Sequence, residues 1–167
     1  RGWFVADLGC GSLGHFVFPA AQVVGSAGRV YAVDVQKTAL HRLERDVRDH
    51  QCWHVCPIWA DIEDKPPAIP DSSVDLTLII NTLYLAQARE RWVQEASRIT
   101  KPGGYLLVID WDPDAAPLGP AAEMRLPSSV VRELFRTYGW EVVEHDPVAS
   151  DHHYGFILRQ TKAEPDA

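Results

Sequence analysis

Short apolar runs alternate with segments of helical period along almost the whole of this 167-residue chain, and that alternation admits few folds. Trp3 to Leu8, Arg29 to Val33, Trp53 to Trp59, Val74 to Ile80 and Tyr105 to Ile109 read as strands. Ala39, Leu40, Leu43 and Val47 recur at the spacing of one helix face, and Leu85, Ala88, Trp92, Ala96 and Ile99 form a second apolar stripe. Strands separated by helices pair in parallel, because only a long crossover returns the chain to the same end of a sheet. The class is α/β, a sheet wrapped by helices on both faces.

The pattern changes after the fifth strand, which opens at Lys101-Pro102-Gly103-Gly104. Asp112 to Pro127 carries four of the chain's 12 prolines and no period, and reads as a long loop, a candidate substrate wall from Trp111 to Met124. Val130, Val131, Leu134, Phe135 and Tyr138 mark a last helix that stops at Gly139. Trp140 to Val148 and His152 to Arg159 follow closely enough to form an antiparallel hairpin at the sheet's end. Residues 1–160 are expected to form one domain, with 161–167 a frayed tail.

The formal net charge of −7, with no long basic run, argues against a nucleic-acid substrate and for a small molecule. Three cysteines, no apolar run near membrane-spanning length and no signal peptide point to a reducing compartment, the cytoplasm, with no membrane span. Cys10, Cys52 and Cys56 lack the spacing of a zinc or arsenic site, so no metal is expected and they read as packing residues.

The first strand ends in Asp7-Leu8-Gly9-Cys10-Gly11-Ser12-Leu13-Gly14, and a helix follows to about Gly25. Glycines at this point let a ligand approach the backbone and permit positive φ in a tight strand-to-helix turn. Pro19 restricts that helix to a start near Phe16, since proline is tolerated only in a first turn. Asp34 closes the second strand, 25 positions after Gly9, where a carboxylate accepts from ribose hydroxyls. Dinucleotides and S-adenosylmethionine both use such a residue. Asp7, Asp34 and Asp61 all fall at strand C-terminal ends, and gathered negative charge suits a cationic ligand.

Together, Asp7-Leu8-Gly9-Cys10-Gly11 with Gly14, Val30-Tyr31-Ala32-Val33-Asp34, Ala60-Asp61-Ile62, Val74-Asp75-Leu76 and Lys101-Pro102-Gly103-Gly104-Tyr105-Leu106 resemble the motifs of class I S-adenosylmethionine-dependent methyltransferases, over about Val5 to Arg159. The likeness is nearest to the group that includes ubiquinone and menaquinone C-methyltransferases. It implies a Rossmann-like doubly wound sheet of seven strands, order 3-2-1-4-5-7-6, with strand 7 antiparallel. It also implies that Gly9, Cys10, Gly11 and Gly14 cradle the methionine moiety above Asp7, and that Asp34 binds the ribose. Asp61 would accept from the adenine amino group, Val35 and Ile62 would pack on the ring, and the Asn81 carbonyl would face the methionine ammonium. Two departures stand out: Ser12 and Leu13 put one residue more between the last glycines than the family has, and the helix that usually precedes the first strand is expected to be absent.

Methyl transfer is an in-line displacement that asks mainly for proximity and alignment. No catalytic residue is obligatory. Where a proton must leave the acceptor, His152, His153 and Asp110 are the candidate bases, and strand alternation would turn the two histidines to opposite faces. Asn81-Thr82-Leu83-Tyr84 keeps the outer residues of an amine-gripping Asn-Pro-Pro-Tyr motif without its prolines, which leaves Tyr84 a candidate substrate contact. Two other readings stay open: a nicotinamide-dependent oxidoreductase, and a methyltransferase-fold module that binds without turnover.

Overall fold

The computed structural model describes residues 1–115 and 118–161. Seven strands form one sheet: β1 (Phe4–Leu8), β2 (Arg29–Asp34), β3 (Val55–Trp59), β4 (Val74–Ile80), β5 (Thr100–Trp111), β6 (Trp140–Ser150) and β7 (His153–Gln160). Their order is β3-β2-β1-β4-β5-β7-β6. β7 is antiparallel to both its neighbours, while β1 to β5 pair in parallel, as expected from the sequence. The helices are α1 (Val17–Val24), α2 (Lys37–Asp49), α3 (Arg89–Ile99) and α4 (Ser128–Thr137). Among the described residues, no helix is long and apolar enough to cross a membrane.

Strand alternation divides the core between two faces. Val5, Val30, Ala32 and Leu78 pack with Val17, Ala21 and Val24 of α1 and with Leu43 and Val47 of α2. On the other face Leu106, Val108, Phe156 and Leu158 meet Val93, Ala96 and Ile99 of α3 and Val131 and Phe135 of α4. Pro19 is the third residue of α1, a first-turn position whose missing N–H removes no helical hydrogen bond.

Three elements differ from their sequence readings. Leu85 lies in a short 3-10 turn, Leu83–Leu85, and is 58 % exposed, so the buried stripe of α3 is Val93, Ala96 and Ile99 instead. Glu95 shares that buried face because Arg98 neutralises it through two bonds of 2.8 and 2.6 Å, and the same guanidinium reaches the Ile69 carbonyl at 2.8 Å. β5 begins at Thr100: Lys101-Pro102-Gly103-Gly104 is a bulge inside the strand, between the Val74–Thr100 and Leu76–Tyr105 pairs, and does not precede it. Asp75 pins this bulge by accepting from Lys101 at 2.5 Å and from the Phe4 N–H at 2.7 Å. The long loop contains a 3-10 turn at Ala122–Met124; its residues 116–117, like 162–167 of the expected tail, lie outside the described residues.

Candidate cofactor cleft

Register brings the ends of the parallel strands to one edge. Leu8 pairs with Val33 and Ile79, Val33 with Ile58, and Ile80 with Ile109. Gly9, Asp34, Asp61, Asn81 and Asp110 follow those residues at the C-terminal edge, and β1 sits where the winding reverses from β2 to β4. Ligands of open α/β sheets bind at such a point.

A cleft of about 470 Å³ opens there, a size suited to a small organic ligand. One wall is Gly9, Asp34, Val35, Ala60, Asp61 and Ile62, with Thr82 against Gly9; the other is Leu85, Ala86, Gln87 and Trp92, from the segment after β4. Five of the expected residues are thus gathered, namely Gly9, Asp34, Val35, Asp61 and Ile62. Asp7, Cys10, Gly11, Gly14 and Asn81 do not line it directly.

The glycine loop explains the division. Gly9 donates to the Val33 carbonyl at 2.8 Å, and a Cβ on it would stand 2.4 Å from the Thr82 methyl. Gly11, at φ 65°, has open space where a side chain would be. Its N–H donates to Asp34 Oδ2 at 2.8 Å, and the Gln36 N–H donates to Oδ1 at 2.8 Å, so Asp34 binds the loop to the end of β2 and retains a lone pair on each oxygen. Gly14 is buried the other way: its Cβ position lies 2.7 Å from the Phe18 ring and 3.0 Å from Leu43. It packs the loop's end on the helices, and the extra residue Leu13 turns outward at 49 % exposure.

Asp7 lies beneath the loop, 2 % exposed. Burial, and then the charge of Asp34, push its carboxyl up to about 7, with no hydrogen bond among the described residues to offset them. Burial and the same two aspartates also raise the Cys10 thiol, which stays protonated and donates to the Gly11 carbonyl at 3.6 Å. Asn81 adopts φ 54°, a left-handed conformation that asparagine tolerates better than most residues, and its Oδ1 is buried without a partner among the described residues. Thr82 Oγ1 is likewise buried and unpartnered among the described residues. Free acceptors, an uncompensated carboxylate and bare loop backbone fit a ligand that brings hydroxyls, an amine and positive charge.

The candidate bases lie beyond this cleft, at the ends of β5 and β7. Asp110 is fully buried; its oxygens accept from the Tyr84 N–H at 3.1 Å and the Trp111 N–H at 2.8 Å. Burial outweighs those two bonds and lifts its carboxyl to about 6. The carboxylate braces the turn that carries Tyr84, whose own hydroxyl is pushed up by burial and then by Asp110. Tyr154, paired with Asp110 across the strands, has a buried hydroxyl with no partner among the described residues. His152 lies in the hairpin turn before β7 begins at His153, so strand alternation does not govern the two histidines. His153 lies against Trp111, ring centroids 4.2 Å apart and planes tilted by 38°, and meets Ser150 Oγ through Nδ1 at 2.7 Å. Burial, His152 and Arg125 lower its pKa.

Arg125 anchors the long loop. It is 6 % exposed, and its guanidinium donates to the carbonyls of Asp112, Leu118 and Pro120 at 2.9, 2.7 and 3.0 Å. Thr82, Gln87 and Trp92 of the cleft were missed; no spacing rule marks them, because two distant loops bring them there.

A methyltransferase-domain profile matches residues 2–162. The chain belongs to that family. Its class is that of the S-adenosylmethionine-dependent methyltransferases, and S-adenosylmethionine is the cofactor. A solved S-adenosylmethionine-dependent methyltransferase from Aquifex aeolicus superposes with a TM-score of 0.87 over 96 % of this chain and 83 % of its own, at 24 % identity, a likeness of fold. A tRNA N(3)-cytidine methyltransferase of Gallus gallus is 29 % identical over 112 residues, 64 % of this chain and 30 % of its own length. The ubiquinone/menaquinone biosynthesis C-methyltransferase of Yersinia enterocolitica is 30 % identical over 112 residues, 66 % of this chain and 43 % of its length. The chain therefore spans less than half the length of these curated relatives.

The tRNA-modifying relative overturns the exclusion of nucleic acid drawn from net charge. Charge bears on phosphate contact only where the charged surface meets the ligand. A net value of −7 over a stretch corresponding to under a third of such a relative says nothing of the remainder.

Proposed function

We propose that this domain, residues 1–160, methylates a small-molecule acceptor presented at the β4–β5 end of the cleft. The convergence of Gly9, Asp34, Val35, Asp61 and Ile62 on one 470 Å³ cleft carries the reading. Bound S-adenosylmethionine supplies a methyl group on a sulfonium, open to displacement by a nucleophile. Asp34 accepts from the ribose hydroxyls through the lone pairs that Gly11 and Gln36 leave free. Asp61, with one oxygen held by the Glu63 N–H at 3.0 Å, accepts from the adenine amino group through the other. Val35 and Ile62 pack on the ring. The Gly9–Gly11 backbone and the Asn81 carbonyl hold the amino-acid end, and Asp7, on gaining a cation nearby, gives up its proton more readily. The chain's contribution to rate is chiefly alignment and exclusion of water. Asp110 or His153 takes a proton from acceptors that must lose one.

The likeness to a quinone C-methyltransferase supports a small acceptor, and the likeness to a tRNA methyltransferase supports a second reading in which a nucleobase is methylated. Release of S-adenosylhomocysteine, measured over a panel of phenols, quinone precursors, thiols, arsenite and tRNA, separates them. Turnover with a small acceptor is expected; turnover confined to tRNA replaces the first reading with the second.

A further inference from the structure

Glu63 follows the adenine-side pair Asp61-Ile62 and lines the same cleft, yet its carboxylate is turned across to the opposite wall. Oε1 accepts from the Gln87 N–H at 3.0 Å and from the Trp92 indole N–H at 3.1 Å, while Oε2 accepts from the Ala88 N–H at 2.9 Å. Ala88 is the cap position of α3, where no side chain of its own serves the free N–H groups of the helix start. One carboxylate, donated by a different loop, fills that role. The three donors belong to Gln87, Ala88 and Trp92, and Leu85, Ala86, Gln87 and Trp92 make up the far wall.

We infer that Glu63 is a positioning residue for the adenine end of the cofactor, a role that rests on the reading of this cleft as the cofactor site. By clamping the start of α3 it sets the distance between the wall carrying Asp61 and Ile62 and the wall carrying Ala86, Gln87 and Trp92. Leu83 and Ala86 seat the preceding turn in the core, while Leu85 and Gln87 are exposed, and Glu63 supplies the polar hold at the helix start. A helix start also carries partial positive charge, which makes an anion the favourable clamp. Substitution by glutamine keeps the length and one acceptor but sets an amide N–H₂ against a backbone N–H, so one arm of the clamp is lost.

Calorimetric titration of the whole chain with S-adenosylhomocysteine and with adenosine tests this. Glu63→Gln is expected to weaken both ligands by a similar factor of about ten, the cost of one charge-assisted hydrogen bond. Trp92→Phe, which removes the indole donor together with part of the ring that lines the cleft, is expected to weaken both by about threefold and serves if the first variant does not fold. A lowered melting temperature with unchanged affinity for both ligands would reduce Glu63 to a helix cap and overturn the inference. So would a loss limited to S-adenosylhomocysteine with adenosine unaffected. A wild-type chain that binds neither ligand overturns the reading of the cleft itself, a separate failure.

Discussion

The two halves of the sheet meet the same edge in different ways. On the β3-β2-β1-β4 side, short connections carry Gly9, Asp34 and Asp61 straight from strand ends into a cleft. On the β5-β7-β6 side, buried polar groups abound, with Asp110, Tyr154 and His153 side by side, but the long proline-rich loop lies over Trp111 and is held by Arg125. The Gly119 Cβ position, 2.5 Å from the Trp111 ring, shows how closely the loop is seated. One half presents backbone and carboxylates to the cofactor; the other is walled by the protein's own loop. Cofactor affinity should therefore answer to the first half alone, and five substitutions press on that division.

Asp7→Asn has the largest expected effect, and it depends on pH. The folded protein holds the Asp7 proton up to about 7 against an ordinary value of 3.8, so the folded state binds the proton more tightly than the unfolded chain. Stability from this group is complete below the ordinary value and is lost as pH rises through about 7. The asparagine variant should match wild type in thermal denaturation near pH 4 and exceed it by up to about 4 kcal/mol at pH 8. Equal stabilities at pH 8 would mean that Asp7 is not an uncompensated charge.

Gly9→Ala should cost about 3 kcal/mol in denaturant unfolding, because a methyl group at φ 85° collides with Thr82. Gly11→Ala meets only open space, so its cost in stability should be about 1 kcal/mol and its main effect a weaker cofactor. The reverse ranking would mean that the loop is packed differently. Asp34→Ala should weaken S-adenosylhomocysteine by about 1 to 3 kcal/mol in calorimetry, since ribose hydroxyls and the Gly11 N–H both lose their acceptor. Unchanged affinity would remove the ribose assignment.

From the other half, Arg125→Gln should lower stability by about 1 to 2 kcal/mol by stripping donors from buried carbonyls. It should leave cofactor affinity within about twofold, and a larger loss would join the two halves that the structure separates.

The same division explains what could be read from the chain. Strand periodicity, glycines and terminal carboxylates are local signals, so the order of the β1–β4 half and the place of Asp34 and Asp61 at its strand ends were legible. Gly14 was misread because glycine serves close packing as well as ligand approach, and only the neighbouring Phe18 tells the two apart. Lys101-Pro102-Gly103-Gly104 looked like a break and is a bulge, since the pairing of Val74 with Thr100 is a long-range fact. Thr82, Glu63, Trp92 and Arg125 act across 20 or more residues or within a loop without period, where sequence spacing carries no signal.

Calorimetric titration of the chain against S-adenosylhomocysteine, with NAD as the parallel ligand, bears most directly on the cleft between Gly9, Asp34 and Asp61. Saturable one-to-one binding of S-adenosylhomocysteine and no heat from NAD is the predicted result. Binding of NAD by a chain indifferent to S-adenosylhomocysteine would contradict it.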